Sequence, residues 1–189
     1  MAKTYDKLDD RLIAFIRRQK IFFVATAPLS AEGHVNLSPK GYDSFAIIDS
    51  TTVAFLDMGG SGIETVAHLR ENGRITLMWC AFEGPASILR LYGEGTSTAL
   101  DSPDYAALLD LFPGRPQARA VITVRVTRIA DSCGWAVPFY EFKGERDQLR
   151  RYIDNVDPDT WAAKRFESGA RSIDGLPGLI AAAEIPQER

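Results

Sequence analysis

Cysteine and histidine are scarce in this chain: Cys80 and Cys133, His34 and His68, in 189 residues. Two cysteines cannot form a disulfide framework in a chain of this length. The two histidines lie apart, one on an expected strand and one on an expected helix, so no metal centre is expected. There is no Gly-x-Ser-x-Gly elbow and no cysteine–histidine pair, which removes the common amino-acid nucleophiles. Positive charge is not in excess either. Lys and Arg number 22 against 25 Asp and Glu, a net charge of −3, so no footprint for nucleic acid exists. No apolar run approaches the roughly 18 residues of a membrane span. The opening Met1-Ala-Lys-Thr-Tyr-Asp-Lys7 has no apolar core of a secretory leader. Residues 1–189 are therefore expected to form one domain of a cytoplasmic protein that neither enters a membrane nor binds nucleic acid.

What is present is a chain of short strands. Leu8–Gln19 has the apolar spacing of an amphipathic helix, with acidic residues first and basic residues last. Ile21–Ala27 is β-branched and aromatic, and His34–Leu37 is expected to pair back on it across the Ser30–Gly33 turn. Phe45–Ile48 and Thr52–Leu56 form a second expected hairpin. A helix over Ile63–Arg70 ends at Asn72-Gly73. Arg74–Phe82, Ile88–Thr98 and Ala120–Ile129 are the long strands, with a helix over Asp104–Leu111 capped by Ser102 between the last two. Helices are expected over Arg146–Asn155 and from Asp157-Pro158 to Phe166, before a turn-rich end. Regular βαβ alternation is absent. Six or seven antiparallel strands with short helices predict a mainly β fold, a closed or split antiparallel barrel with peripheral helices, in which residues 8–130 form the barrel and 131–189 a helical and looped tail.

Two small-residue stretches carry the unusual chemistry. Ser38-Pro39-Lys40-Gly41 reads as a turn, and its proline partly fixes the direction of Lys40, either a solvated lysine or a cation for a phosphate. Gly59-Gly60-Ser61-Gly62 opens a helix, where free backbone N–H groups and a positive dipole end suit an anion. No Gly-Lys-Ser/Thr follows, so it is not a Walker loop. Ser61 and Thr65 offer hydroxyls there, for capping or for a ligand. Cys80 reads as packed and Cys133 as exposed. Trp79, Tyr92 and Trp135 read either as core residues or as faces on which a flat ring could stack. With no catalytic set of side chains visible, a cofactor that carries its own redox chemistry fits best.

The order of these segments resembles the pyridoxamine 5′-phosphate oxidase-related family of flavin-binding split barrels. The resemblance runs through Phe22-Phe-Val-Ala-Thr-Ala27, Gly33-His-Val-Asn-Leu-Ser-Pro-Lys-Gly41, Phe55-Leu-Asp57, Glu71-Asn-Gly-Arg-Ile-Thr-Leu-Met78 and Leu89-Arg-Leu-Tyr-Gly-Glu-Gly-Thr96. It spans roughly Leu8 to Ile129. It implies a homodimer with FMN at the interface, and a small-molecule substrate. By that resemblance Asn36, Leu37, Ser38, Pro39 and Lys40 match the strand beside the flavin, which ends in a basic phosphate contact. Asp57 and Met58 match the strand end facing the ring. Ser61, Gly62 and Thr65 match the phosphate-binding helix start, and Trp79 and Cys80 a strand near the cofactor. Arg90, Tyr92 and Trp135 are candidates for the substrate space. Two departures stand out: Glu64-Thr65 replaces the Arg-Lys pair that true pyridoxamine phosphate oxidases usually carry, and their C-terminal arginine- and histidine-bearing substrate motif is not found. Oxidation of pyridoxamine phosphate is therefore not the expected reaction. A deazaflavin (F420) reductase, a non-enzymatic flavin or haem carrier, a barrel without ligand, and an interaction module are the alternative readings.

Overall fold

The structure is a computed structural model that describes residues 3–114 and 117–181; the outermost residues of the expected domain, 1–2 and 182–189, and positions 115–116 lie outside it. Among the described residues eight strands form one antiparallel sheet. In chain order they are β1 (Thr4–Tyr5), β2 (Phe22–Thr26), β3 (Asn36–Lys40), β4 (Phe45–Ile47), β5 (Thr52–Asp57), β6 (Arg74–Cys80), β7 (Ile88–Ala99) and β8 (Ala120–Ser132). The sheet order is β3-β2-β6-β7-β8-β5-β4, with β1 on β8. Five helices accompany it: α1 (Asp10–Arg18), α2 (Glu64–Asn72), α3 (Tyr105–Leu109), α4 (Gln148–Asp154) and α5 (Pro158–Ser168).

The sheet curls because its aromatic residues are shared between its two ends. β2 and β4 are five strand steps apart, ~24 Å on a flat sheet. Yet Phe22 of β2 and Phe45 of β4 have ring centroids 5.3 Å apart, and Phe45 lies 4.9 Å from Trp79 of β6. Phe55 and Trp79 complete the cluster around Phe22. Burying these rings together bends the sheet into a half-barrel. Leu8, Leu12 and Ile16 place the α1 segment on the same core, and Asp9 caps α1 by accepting the Leu12 N–H at 2.7 Å. Packed on β7, β2 and β6, α2 buries Thr65 through Leu69. A side chain at Gly95 of β7 would collide with Leu69, so glycine there lets helix and strand touch. Gly73, at φ +71°, ends α2 in the left-handed conformation.

The antiparallel half-barrel with peripheral helices is as expected; several boundaries are not. Ser38-Pro39-Lys40 is not a turn. It is the second half of β3, which starts at Asn36 rather than His34 and pairs Phe22–Thr26 with Lys40–Asn36. Pro39 is tolerated because β3 is an edge strand, where a missing N–H costs no ladder bond. β1 adds a strand beyond the six or seven expected, and two residues are too few for propensity to mark. α2 begins at Glu64, with Ile63 in the cap position. α3 is shorter than Asp104–Leu111 and has no side-chain cap from Ser102. Its end tightens through bonds from Leu111 N–H to Leu108 O and Phe112 N–H to Leu109 O, which drop Phe112 into a small core with Leu56 and Val121. Trp135, one of the aromatic residues read as core or stacking, is 85% exposed. Its loop turns outward at Gly134 (φ +66°), where any side chain would strike the backbone of Ser87.

Candidate functional site

β3 shows how a strand sorts its residues. Successive side chains alternate faces, so Asn36, Ser38 and Lys40 share the half-buried face while Leu37 and Pro39 lie exposed. From the shared face a polar row reaches α2. Ser38 Oγ donates to Asn36 Oδ1 at 3.0 Å, and Asn36 Nδ2 donates to Thr65 Oγ1 at 3.0 Å and Thr26 Oγ1 at 3.1 Å. Thr26 Oγ1 lies 2.9 Å from Nδ1 of the fully buried His68, whose Nε2 has no partner. Burial lowers the pKa of His68, so the neutral ring is favoured at the inner end of this row. Thr65 thus serves the row rather than capping α2, which has no side-chain cap.

At the end of the same face stands a charged corner. Asp57, the last residue of β5, is 1% exposed, and its Oδ2 accepts from Arg119 Nε at 3.0 Å. Arg119 is itself only 3% exposed. Its other nitrogens donate to the carbonyls of Gly62 at 2.5 Å and Gly60 at 3.5 Å. Lys40 Nζ lies 3.7 Å from Asp57 Oδ1, which also accepts the Gly59 N–H at 3.3 Å. One carboxylate therefore holds together the end of β3, the start of the glycine turn and the segment entering β8. Gly59 (φ +90°) and Gly60 (φ +152°) adopt backbone that side-chain-bearing residues rarely take. Because N–H and C=O of a peptide point in opposite directions, the carbonyls of Gly60 and Gly62 facing Arg119 turn the N–H groups of Ser61 and Ile63 the other way.

Beyond Lys40 the backbone is strained: Tyr42 and Asp43 both have left-handed φ, +63° and +53°. Tyr42 is held there by its hydroxyl, which donates to the Arg146 carbonyl, and by the Arg150 guanidinium 5.1 Å above its ring. This ties the tail to the end of β3 and roofs a cleft of about 980 Å³, lined among others by Phe15, Lys20, Lys40, Phe82, Tyr140 and Phe142. Lys40 is the residue that belongs to both cleft and corner.

The remaining candidates are scattered. Met58 is half-buried beside the corner and Ser61 is exposed on the turn, with Gly62 next to it. Trp79 is wholly enclosed by Phe22 and Phe45, and Cys80 is a buried thiol whose pKa is raised by desolvation. Arg90 donates to Ser132 Oγ at 3.1 Å. Tyr92 lines a separate opening of about 390 Å³ with Thr26 and Thr76. None of Arg90, Tyr92 and Trp135 lines the large cleft. Among the described residues no group of three or more His, Cys, Asp and Glu is placed to hold a metal ion. Sequence reasoning missed Arg119 and the approach of Arg165 to Gly59. Arg119 had a signal, a lone charge between Ala118 and Ala120 at the head of an apolar strand. Arg165 had none, since only the fold brings α5 to the glycine turn.

The fold is that of a split-barrel protein, in which Lys40 and Arg119 share the Asp57 carboxylate beside a glycine turn. The family model of pyridoxamine 5′-phosphate oxidase matches residues 8–133. The chain is 34% identical over 195 residues, 94% of its own length and 78% of the relative's, to a pyridoxamine 5′-phosphate oxidase family protein, ustO, of Aspergillus flavus. Among solved structures its fold is similar to that of HupZ of Group A Streptococcus. The match to a point variant of HupZ has a TM-score of 0.54 and 24% identity, covering 66% of this chain and 98% of that one. The match to a second HupZ structure has a TM-score of 0.52 and 24% identity, covering 65% and 91%. The chain belongs to the pyridoxamine 5′-phosphate oxidase family.

Proposed function

We propose that this chain binds FMN and works, as a homodimer, as a flavin-dependent oxidoreductase on a small molecule. The observation that carries the reading is the corner at Gly59–Gly62. A half-buried lysine and a buried arginine share one carboxylate beside a turn in which Gly60 faces open space. Family membership supplies the expectation of a flavin, and two cations beside a glycine turn at a helix start are the kind of groups that hold its phosphate. In this reading Lys40 meets the phosphate as a point charge, Arg119 holds the turn in shape, and Asn36 and Ser38 present polar groups along the strand. The flavin, when bound, supplies the hydride and electron chemistry, which is why no protein nucleophile is needed. The edge strand supports the dimer: Val35 (74% exposed) and Leu37 (63% exposed) offer apolar side chains next to an unpaired strand edge, a surface that a second copy can cover.

The test is a titration of wild type and Lys40→Ala with FMN, followed by quenching of flavin fluorescence. Loss of one charge-assisted bond is expected to cost about 1.5–3 kcal/mol, or roughly 10–150-fold in Kd. Equal affinities would return Lys40 to a role in pairing with Asp57 alone. Stronger binding of F420 than of FMN by the wild type would change the cofactor.

A further inference from the structure

The cleft roofed by the tail takes no part in the reading above beyond its shared Lys40. Its floor is the surface of the main core, where Leu12 and Leu89 are buried and Phe15 is half-buried. Over this floor runs a stretch of the tail, 140–146, a strap without secondary structure of its own. At one end the Tyr140 N–H donates to the Phe82 carbonyl at 3.1 Å, and the Phe142 N–H to Glu83 Oε1 at 3.3 Å. The Tyr140 ring also meets Phe82 edge-on at 5.5 Å. At the other end the Arg146 carbonyl accepts the Tyr42 hydroxyl. Between these ties Lys143, Gly144 and Glu145 make no hydrogen bond among the described residues. The strap therefore bridges a gap instead of packing on the barrel. That gap, about 980 Å³, stands at the upper end of the roughly 300–1,000 Å³ of small-molecule sites.

The charges on its walls are unevenly engaged. Lys20, just past α1, holds its ammonium 5.8 Å over the Phe142 ring. It makes no ion pair among the described residues, and neither does Arg18 two positions earlier. The carboxylates of the cleft are placed differently. Asp131 accepts the Tyr5 hydroxyl at 2.6 Å and the Lys3 N–H at 2.9 Å, and Glu83 is tied to the strap. Glu141 and Glu145 lie on the exposed strap. Five Lys and Arg residues thus line the cleft with four carboxylates, two of which already accept hydrogen bonds. An apolar and aromatic floor beside an ammonium with no carboxylate complements a molecule that joins an apolar ring system to an acid group.

We propose that this cleft is a binding pocket in its own right, for a small organic acid with a flat apolar body. The body lies on the floor at Phe15, beneath Phe82 and Phe142, and the acid group meets Lys20. This does not rest on the FMN reading. The Gly59–Gly62 turn contributes nothing to the lining, and the strap lies beyond residues 8–133 matched by the family model.

The experiment titrates the full chain with two fluorescent probes of the same ring system, anilinonaphthalene sulfonate and the uncharged phenylnaphthylamine. Wild type is expected to bind one sulfonate probe per chain, about tenfold more tightly than the amine. Lys20→Gln should lose most of that preference while its affinity for the amine stays the same, and Lys20→Arg should keep it. Phe142→Ala should weaken both probes alike. Lys20 is exposed, so its variants are expected to melt with wild type, which separates pocket binding from probe uptake by a loosened fold. Saturating FMN should leave the sulfonate probe in place. Displacement by FMN, equal affinity of wild type for the two probes, or a preference unchanged in Lys20→Gln overturns the proposal. So does an affinity for both probes that Phe142→Ala leaves untouched. A chain that binds the sulfonate probe in this way but takes up no FMN overturns the FMN reading alone.

Discussion

An Asp57→Asn variant is expected to unfold roughly 6–20 °C below wild type. The substitution removes the charge facing Arg119, which is almost wholly buried and held on Asp57 at 3.0 Å. Leaving one partner of a buried pair uncompensated costs about 3–5 kcal/mol, and for chains of this size each kcal/mol shifts Tm by about 2–4 °C. Lys40 loses its partner too, but it is less buried, so water screens much of that loss. The double variant Asp57→Asn with Arg119→Met tests the cause. If the unpaired guanidinium is responsible, removing it recovers part of the stability, a coupling that independent sites would not show. Differential scanning calorimetry on the three proteins checks this. A fall below ~2 °C in the single variant would mean that the corner shapes a site without holding the fold.

Trp79→Ala is expected to cost about 3–5 kcal/mol, the range for deleting a large aromatic side chain from a core. Trp79 stacks on Phe22 at 5.5 Å and meets Phe45 edge-on at 4.9 Å, so its loss opens a void where the two ends of the sheet meet. In urea the midpoint should fall while the slope stays the same, because the surface exposed on unfolding hardly changes. Trp79→Phe keeps a ring in place and should lose much less, with FMN affinity like that of wild type. A Trp79→Phe variant that folds well but binds FMN poorly would return this residue to the neighbourhood of the cofactor.

The contrast between Trp79 and Lys40 explains how much was legible in the sequence. Hydrophobic periodicity marks which residues turn inward, and most strand locations and the packed Cys80 follow from it. The antiparallel barrel follows from the order of strands and the absence of βαβ alternation. It does not mark what an inward residue meets. Trp79 could be read as a stacking surface because its strand is visible in the sequence while the rings of Phe22 and Phe45 converge only through the sheet's curl. Lys40 could be read as a turn residue because proline suggests a turn; on an edge strand the same proline is harmless, and the alternation Asn36, Ser38, Lys40 then becomes a single polar face. Arg119 carried a faint signal as a charge among alanines. Arg165 carried none, because its meeting with Gly59 depends on the return of a tail more than 100 residues away.

The central claim is that the Gly59–Gly62 corner seats the phosphate of a flavin. The most direct measurement is the absorption spectrum of the purified full chain after incubation with excess FMN and removal of the unbound fraction. The account predicts flavin bands that stay with the protein at about one FMN per chain. A protein that returns colourless, in a state shown by circular dichroism to be folded, would contradict it.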